Sequence, residues 1–137
     1  MMKGWLLMRI FFVLFGLLIL SPRFADATEP AVTGVASWYG ESHRGKLMAN
    51  GKKFDPDKLT AASWFYPLGT RVKVTLVSAH DSIRPGVPLS VIVTITDRGP
   101  AKRLVREGRI IDLAQAAFQR LAPVKLGLIP IQVSPVP

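Results

Sequence analysis

The amino-acid sequence predicts a mainly β fold, a small closed barrel with one or two short helices. The apolar runs are short and are separated by turns that contain glycine and proline. Only residues 114–121 repeat apolar side chains at the i, i+3, i+4, i+7 spacing of a helix. The chain also contains no cysteine. A closed sheet suits a small domain without disulfides because it leaves no unpaired strand edge.

Five or six short strands account for most of the apolar residues. The predicted strands are residues 34–40, 71–76, 89–96, 108–113 and 127–133, and residues 59–64 supply the sixth segment. Polar loops are expected at residues 41–58 and 78–88. Loops as long as the first of these are uncommon in compact domains and often carry function. We therefore expect the polar loops to form the working face of the barrel.

The N-terminus has the pattern of a secretion signal. Lys3 and Arg9 precede an apolar run at residues 10–20, and Ala25-Asp26-Ala27 has the small-x-small form of a cleavage site. The run is much shorter than the roughly 20 residues that a helix needs to cross a bilayer. The prediction is a signal peptide at 1–27, a linker at 28–33 and one domain at 34–137. It places the protein in the periplasm or outside the cell, unlipidated and with no stable membrane anchor after cleavage.

The net charge favours anionic partners. The full chain carries +9, and removal of residues 1–27 takes away three cations and one anion, which leaves +7. Such an excess attracts cell-wall polymers, lipid headgroups or nucleic acid, or keeps a solvated surface soluble. Nucleic acid is not expected, because no recognition helix or zinc-ligand spacing is present. The domain is expected to be a monomer.

Carboxylates are the remaining candidates for chemistry. A thiol nucleophile is excluded, and His43 and His80 lie in predicted loops without metal-ligand spacing, so neither a metal nor a cofactor is expected. Asp97 stands at the end of an apolar strand, directly before Arg98 and the Gly99-Pro100 pair. It either folds the turn by accepting hydrogen bonds from backbone amides or acts as an acid and base at the mouth of the barrel.

Six motifs in order carry a resemblance to a known family. They are GVASWYG (34–40), ANG (49–51), LTAAS (59–63), PLGTRVKV (67–74), VTITDRGP (93–100) and GRIIDLAQAAFQRL (108–121). Together they resemble the RlpA-like family (rare lipoprotein A), which implies a six-stranded double-psi β-barrel. The resemblance also implies an endolytic lytic transglycosylase that acts on peptidoglycan strands poor in stem peptides. Such an enzyme cleaves the bond between N-acetylmuramic acid and N-acetylglucosamine and leaves a 1,6-anhydro end.

The resemblance places Asp97 at the catalytic position. One carboxyl can serve as acid and then as base, because the nucleophile is the 6-hydroxyl of the substrate itself, unlike the two-carboxyl arrangement of ordinary glycosidases. Substrate contacts are predicted for four residues: Trp38, Tyr39, Asn50 and Arg98. Trp38 and Tyr39 are adjacent on a strand and point to opposite faces, so at most one of them faces the cleft. Trp64 and Phe65 raise the same question, and a packing role is the alternative for each ring.

Three positions depart from the family pattern. The glutamate after ANG is Lys52, the histidine after TAA is Ser63, and the threonine before ANG is Met48. Three acids of the first polar loop are possible substitutes for the missing glutamate: Glu41, Asp55 and Asp57. Arg109 and Asp112 are a candidate ion pair, and Asp112 is interpreted as a structural residue.

These departures leave two other functions open. The first is a non-catalytic barrel that binds glycan, as expansins act without hydrolysis. The second is a structural envelope protein whose barrel serves a protein partner. The C-terminal SPOR domain of longer family members is not found here, so recruitment through that domain is not expected.

Overall fold

A computed structural model describes residues 30–77 and 89–137. The predicted signal peptide and the whole of the predicted loop at 78–88, which contains His80, lie outside these ranges. No helix within them has the length and apolar character that crossing a membrane requires. The six strands of the described chain are β1 (Val32–Tyr39), β2 (Thr60–Ala62), β3 (Arg71–Leu76), β4 (Ser90–Asp97), β5 (Arg109–Ala114) and β6 (Ile129–Pro135). The helices are α1 (Lys102–Arg106) and α2 (Gln115–Gln119), with 3-10 turns at Glu41–His43 and Val124–Leu126.

The strands close into a barrel in the order β1-β5-β2-β4-β3-β6. β1 runs parallel to β5 and β2 runs parallel to β4, while the other neighbours are antiparallel. The short β2 therefore lies between β4 and β5. Ala62 of β2 pairs with Asp97 on one side and with Asp112 on the other. This register confirms the predicted barrel and brings two carboxylates from distant parts of the sequence into one row.

Several element boundaries differ from the sequence prediction. β1 begins inside the predicted linker, because Val32 and Thr33 already pair with β6. The predicted helix at 114–121 is shorter in the structure, since Ala114 completes β5. The helix α1 is only five residues long and is mostly cationic, so its sequence shows no apolar periodicity from which a helix could be predicted.

The barrel interior is filled by alternate residues of the long strands. β3, β4 and β6 bury every second side chain, and these buried residues are Val72, Val74, Val91, Val93, Ile95, Ile129, Ile131 and Val133. Phe118 of α2 joins this core and is fully buried. Its ring centroid lies 6.4 Å from that of Trp38 on β1. A continuous apolar core therefore supports the strand ends that carry the polar side chains.

The first polar loop is anchored to the outside of the barrel by a second small cluster. Phe54 is 3% exposed and packs with Met48 and Ala114. Its ring stacks on Tyr39 at a centroid distance of 4.2 Å. Leu47 and Lys53 form an isolated antiparallel bridge around the turn at 49–52. The loop is thus held next to the end of β4 although it contains no long helix or strand.

Candidate functional site

Asp97 is held at the end of β4 by backbone donors. The backbone N–H groups of Ala49 and Arg98 donate to its Oδ1, at 2.9 and 2.8 Å. The Ser63 N–H donates to the Asp97 carbonyl oxygen at 3.1 Å. Oδ2 accepts no hydrogen bond from any residue in the two described ranges. The turn-folding role and the chemical role that the sequence offered as alternatives are therefore compatible, since each uses a different carboxylate oxygen.

Asp112 is a second carboxylate on the same row. Neighbouring strands are about 4.8 Å apart, so the two strands that flank Ala62 hold the backbones of Asp97 and Asp112 about 10 Å apart. The Ser37 hydroxyl of β1 donates to Asp112 Oδ1. Burial raises the pKa of Asp112, while the Ser37 hydrogen bond and the positive charges of Arg109 and His43 oppose that rise. Asp112 consequently holds its proton to a higher pH than a solvated aspartate does.

The interpretation of Asp112 as an ion-pair partner of Arg109 is wrong. Within the described chain these side chains form no contact of 4 Å or less. Residues three apart on a strand point to opposite faces, so Arg109 acts on Asp112 only from a distance. The sequence does carry one indication of a special position. Asp112 is a charged residue in the middle of the otherwise buried strand segment of Ile111 and Leu113.

The Tyr39 hydroxyl interacts electrostatically with both carboxylates. Burial raises the pKa of its hydroxyl, and the negative charges of Asp97 and Asp112 raise it further. The ring stacks on Phe54 and meets His43 edge-on at 5.6 Å. The hydroxyl oxygen is buried, and no described residue offers it a hydrogen bond. Tyr39 therefore keeps its proton and presents an O–H donor to the region of the two acids.

Trp38 and Asn50 occupy structural positions. The Trp38 indole packs on Phe118 and donates through Nε1 to the carbonyl oxygen of Val124, at 2.9 Å. Asn50 shapes the loop, since its Oδ1 accepts a hydrogen bond from the Lys52 N–H at 3.0 Å. Of the adjacent aromatic pair on β1, Tyr39 is the ring beside the carboxylates. Substrate contacts by Trp38 and Asn50 stay predictions.

Arg98 braces the turn that follows β2. Its Nη1 donates to the carbonyl oxygens of Ser63 and Tyr66, at 2.8 and 2.6 Å. Ser63 itself is 1% exposed and its hydroxyl accepts a hydrogen bond from the Phe65 N–H. The residue at the family's histidine position is therefore enclosed in the fold. Substrate contact by Arg98 stays a prediction.

The three acids proposed as substitutes for the family glutamate are held by one cation. Arg44 contacts the carboxylates of Glu41, Asp55 and Asp57, with nitrogen–oxygen distances of 2.6, 3.3 and 2.9 Å. Its hydrogen bonds lower the pKa of Glu41. These acids thus form a surface network within the loop.

Trp64 is an exposed ring with a fixed orientation next to the Asp97 turn. It is 45% exposed, and its Nε1 donates to the Pro100 carbonyl oxygen at 2.7 Å. The Lys102 ammonium lies 5.1 Å from the ring centroid, within cation–π range. Phe65 beside it is 44% exposed. Together these rings offer an aromatic surface of the kind that sugars stack on.

The fold and the site together define a class of protein. A closed six-stranded barrel with two parallel pairs carries one carboxylate, Asp97, at the end of β4 and a second, Asp112, on the other side of β2. The family model described as lytic transglycolase matches residues 31–133. The chain belongs to this family, and its domain is an RlpA-like double-psi β-barrel.

Relatives and solved structures agree with this assignment. A probable endolytic peptidoglycan transglycosylase RlpA of Nostoc is 37% identical over 116 residues, which cover 83% of this chain and 28% of the relative. The endolytic peptidoglycan transglycosylase RlpA of Yersinia pestis is 43% identical over 88 residues, covering 64% and 21%. The chain thus spans about a quarter of the length of these relatives.

Among solved structures, a Streptomyces papain inhibitor matches with a TM-score of 0.57 and 25% identity, covering 80% of this chain and 97% of the inhibitor. A Clavibacter michiganensis expansin variant in complex with cellohexaose matches with a TM-score of 0.54 and 18% identity, covering 79% of this chain and 51% of the expansin. At that identity, the expansin match shows a shared fold.

The raised pKa of Asp112 predicts how Asp112→Asn changes stability with pH. The folded state binds the Asp112 proton more tightly than the unfolded state, whose pKa is near 3.8. The free energy of unfolding of the native protein therefore falls as pH rises from that value through the folded pKa. Asp112→Asn lacks this pH-dependent loss of stability. The melting temperature of the variant minus that of the native protein should therefore increase from acid to neutral pH. Melting curves between about pH 3 and pH 8 measure the difference, spanning the ordinary pKa of aspartate.

Asp57→Asn is the matched control for this comparison, since it removes an exposed carboxylate of the Arg44 network. A constant offset between Asp112→Asn and the native protein across the whole range would contradict the prediction.

Proposed function

We propose that this chain is an endolytic peptidoglycan lytic transglycosylase of the RlpA type. It would cleave the bond between N-acetylmuramic acid and N-acetylglucosamine in peptide-poor strands and leave a 1,6-anhydro end. This activity would serve the organisation of the cell wall. The observation that carries this proposal is the state of Asp97. Its Oδ1 is tied to two backbone donors, while Oδ2 accepts no hydrogen bond from the described residues. Membership in the lytic transglycolase family and the RlpA relatives support it.

The chemistry requires one carboxyl at the reacting bond. Asp97 donates a proton to the glycosidic oxygen, and the bond from that oxygen to C1 of the muramic sugar breaks. The 6-hydroxyl of the same sugar then bonds to C1 and returns its proton to Asp97. No water is consumed, so atoms and protons balance with Asp97 alone.

Asp112 and Tyr39 serve this reaction as positioning residues. Burial raises the pKa of Asp112, so this carboxyl gives up its proton at a higher pH than a solvated aspartate does, and a negative charge there would oppose the binding of an anionic strand. The Ser37 hydroxyl fixes the orientation of the Asp112 carboxyl. Tyr39 contributes a buried O–H donor whose proton is retained.

A non-catalytic glycan-binding barrel is the second candidate. Ser63 is enclosed and makes turn contacts, so it supplies no exposed polar group where active family members have histidine. Lys52 is a cation where they have an acid. Both features are compatible with a barrel that holds glycan strands without cleaving them.

The proposed place of action is the cell envelope. We propose cleavage after Ala27 and a monomer in the periplasm or outside the cell, without lipid attachment. The charged and apolar pattern of residues 3–27 supports this location.

The deciding experiment incubates the purified protein with glycan strands from which an amidase has removed the stem peptides. Mass spectrometry of the soluble fragments distinguishes 1,6-anhydro ends from hydrolysed ends by one water. Anhydro fragments support the enzyme. Strand binding in a pelleting assay without anhydro fragments supports the binding module, and the absence of both contradicts both candidates.

The exposed ring of Trp64 predicts a stacking contribution to strand binding. Trp64→Ala should raise the Kd for peptide-free oligosaccharides about tenfold, because a sugar ring covering part of the indole removes some tens of Å² of apolar surface from water. Trp64→Phe keeps a flat ring and should lose less affinity. Titration calorimetry measures both variants, with melting curves to verify that loss of the Pro100 hydrogen bond has not unfolded the turn. Equal Kd values for the native protein and a folded Trp64→Ala would refute the stacking role.

A further inference from the structure

A groove with a cationic rim lies beside the loop that holds Asp97. It has a volume of about 490 Å³. Three lysines contribute to its lining, namely Lys52, Lys53 and Lys58. We call this feature the lysine groove. It includes Lys52, the residue at which this chain departs from the acidic residue of its family.

The charge of the lysine groove is not neutralised within the described chain. The three lysines are exposed, and none has a carboxylate within 4 Å among the described residues. Asp55 is the acid in the lining, and Arg44 already contacts its carboxylate at 3.3 Å. An anion that enters the groove therefore meets three ammonium groups with no competing partner.

The loop that contains Ala49 and Asn50 contacts both the lysine groove and the Asp97 carboxylate. Asn50 and Thr96 line the groove, and the Asn50 N–H donates to the Thr96 carbonyl oxygen at 3.2 Å. The neighbouring residue Ala49 donates its N–H to Asp97 Oδ1. The loop that forms part of the groove therefore also holds the Asp97 carboxylate.

The other walls of the groove suit a sugar. Met48 and Leu68 are apolar residues of the lining, and Thr94 and Asn50 are polar ones. Apolar walls with a few polar groups are the usual composition of a small-molecule site. The cationic rim adds selectivity for a sugar that bears a negative charge.

From these features we propose that the lysine groove binds the free carboxylate of the lactyl ether on a muramic acid residue. The inference rests on the proposed function, since it places this carboxylate on the same strand that Asp97 acts on. A stem peptide converts the lactyl carboxyl into a neutral amide, whereas a peptide-free strand retains the charge. The three lysines therefore make this chain select strands by the state of that one group.

The test measures binding without cleavage. Asp97→Asn protein is titrated with a peptide-free N-acetylglucosamine–N-acetylmuramic acid oligosaccharide and with the same oligosaccharide whose lactyl carboxyls are methyl amides. The charged ligand should bind about tenfold more tightly, the scale expected for a few partly solvated charge pairs. Replacing all three groove lysines by Gln should remove this preference and leave the Kd for the amide unchanged.

Two controls separate the groove from the overall positive charge. Lys73→Gln removes an exposed cation of β3 that does not line the groove, and it should preserve the preference. Replacing the three groove lysines by Arg keeps the charges and should also preserve it. Equal binding of the two ligands, or the same loss with Lys73→Gln as with the triple Gln variant, would overturn the proposal.

Failure of this inference is distinguishable from failure of the proposed function. A native protein that forms anhydro products equally from charged and amide strands retains the function and refutes the selectivity. A protein that prefers the charged ligand and forms no anhydro product retains the groove assignment and loses the enzyme.

Discussion

Asp97→Asn is expected to lower the initial rate of 1,6-anhydro product formation about 10²- to 10⁴-fold, the usual contribution of a general acid and base. The amide can neither donate the proton that the glycosidic oxygen requires nor accept the proton of the 6-hydroxyl. Its Oδ1 can still accept hydrogen bonds from the Ala49 and Arg98 N–H groups, so the turn should remain folded. The Kd for peptide-free strands should change little. Single-turnover product analysis and strand pelleting on the same preparation measure both quantities.

Asp57→Asn is the control for loss of a carboxylate near the site, because Asp57 lies in the exposed network of Arg44. It should leave the rate near that of the native protein. If folded Asp97→Asn forms anhydro product at the native rate, Asp97 is not the acid and base of the reaction. Asp112 would then be the carboxylate to test.

The position of Asp97 was accessible from the sequence, because an apolar, β-branched run that ends at a Gly-Pro pair leads directly to it. The same local regularity predicted β3 with its observed bounds, since Val72 and Val74 alternate with exposed residues. In both segments the information lies within a few consecutive residues. Period-two burial and a Gly-Pro stop are enough to define a strand and its end.

The relation between Asp97 and Asp112 was not accessible in this way. It depends on β2, a strand of three residues that lies between β4 and β5 and pairs with both. That arrangement is set by the closure of the barrel. The raised pKa of Asp112 likewise comes from burial under neighbouring elements, which no local pattern reports. The misassigned Arg109 pair shows the same limit.

The long polar loop illustrates a third case. Its composition predicts a functional loop but not its anchoring. The structure supplies the reason for its fixed position, which is the burial of Phe54 against Tyr39 and Met48. Because the same loop provides the Ala49 N–H to Asp97 and the three groove lysines, its apolar anchor determines the geometry of both proposed sites.

Phe118→Ala should lower the free energy of unfolding by about 3–5 kcal/mol, as for other fully buried aromatic residues. This is the largest loss of stability expected among the variants considered. Phe118 is 0% exposed and fills the barrel beneath α2. Domains of this kind are stable by only about 5–15 kcal/mol, so the variant would lose a large part of the total. Urea unfolding followed by circular dichroism measures the change. Gln119→Ala is the matched control on the same helix, since Gln119 is exposed and should cost little.

Phe118→Ala should also disturb the region of the two carboxylates, because the Phe118 ring packs on Trp38, which precedes Tyr39 on β1. Phe118→Leu keeps most of the volume and should unfold at a urea concentration between those of the native protein and the alanine variant. If Phe118→Ala is too unstable to purify, the leucine variant still tests the argument. A leucine variant with native stability and a well-folded alanine variant that loses less than about 1 kcal/mol would show that α2 does not close the core.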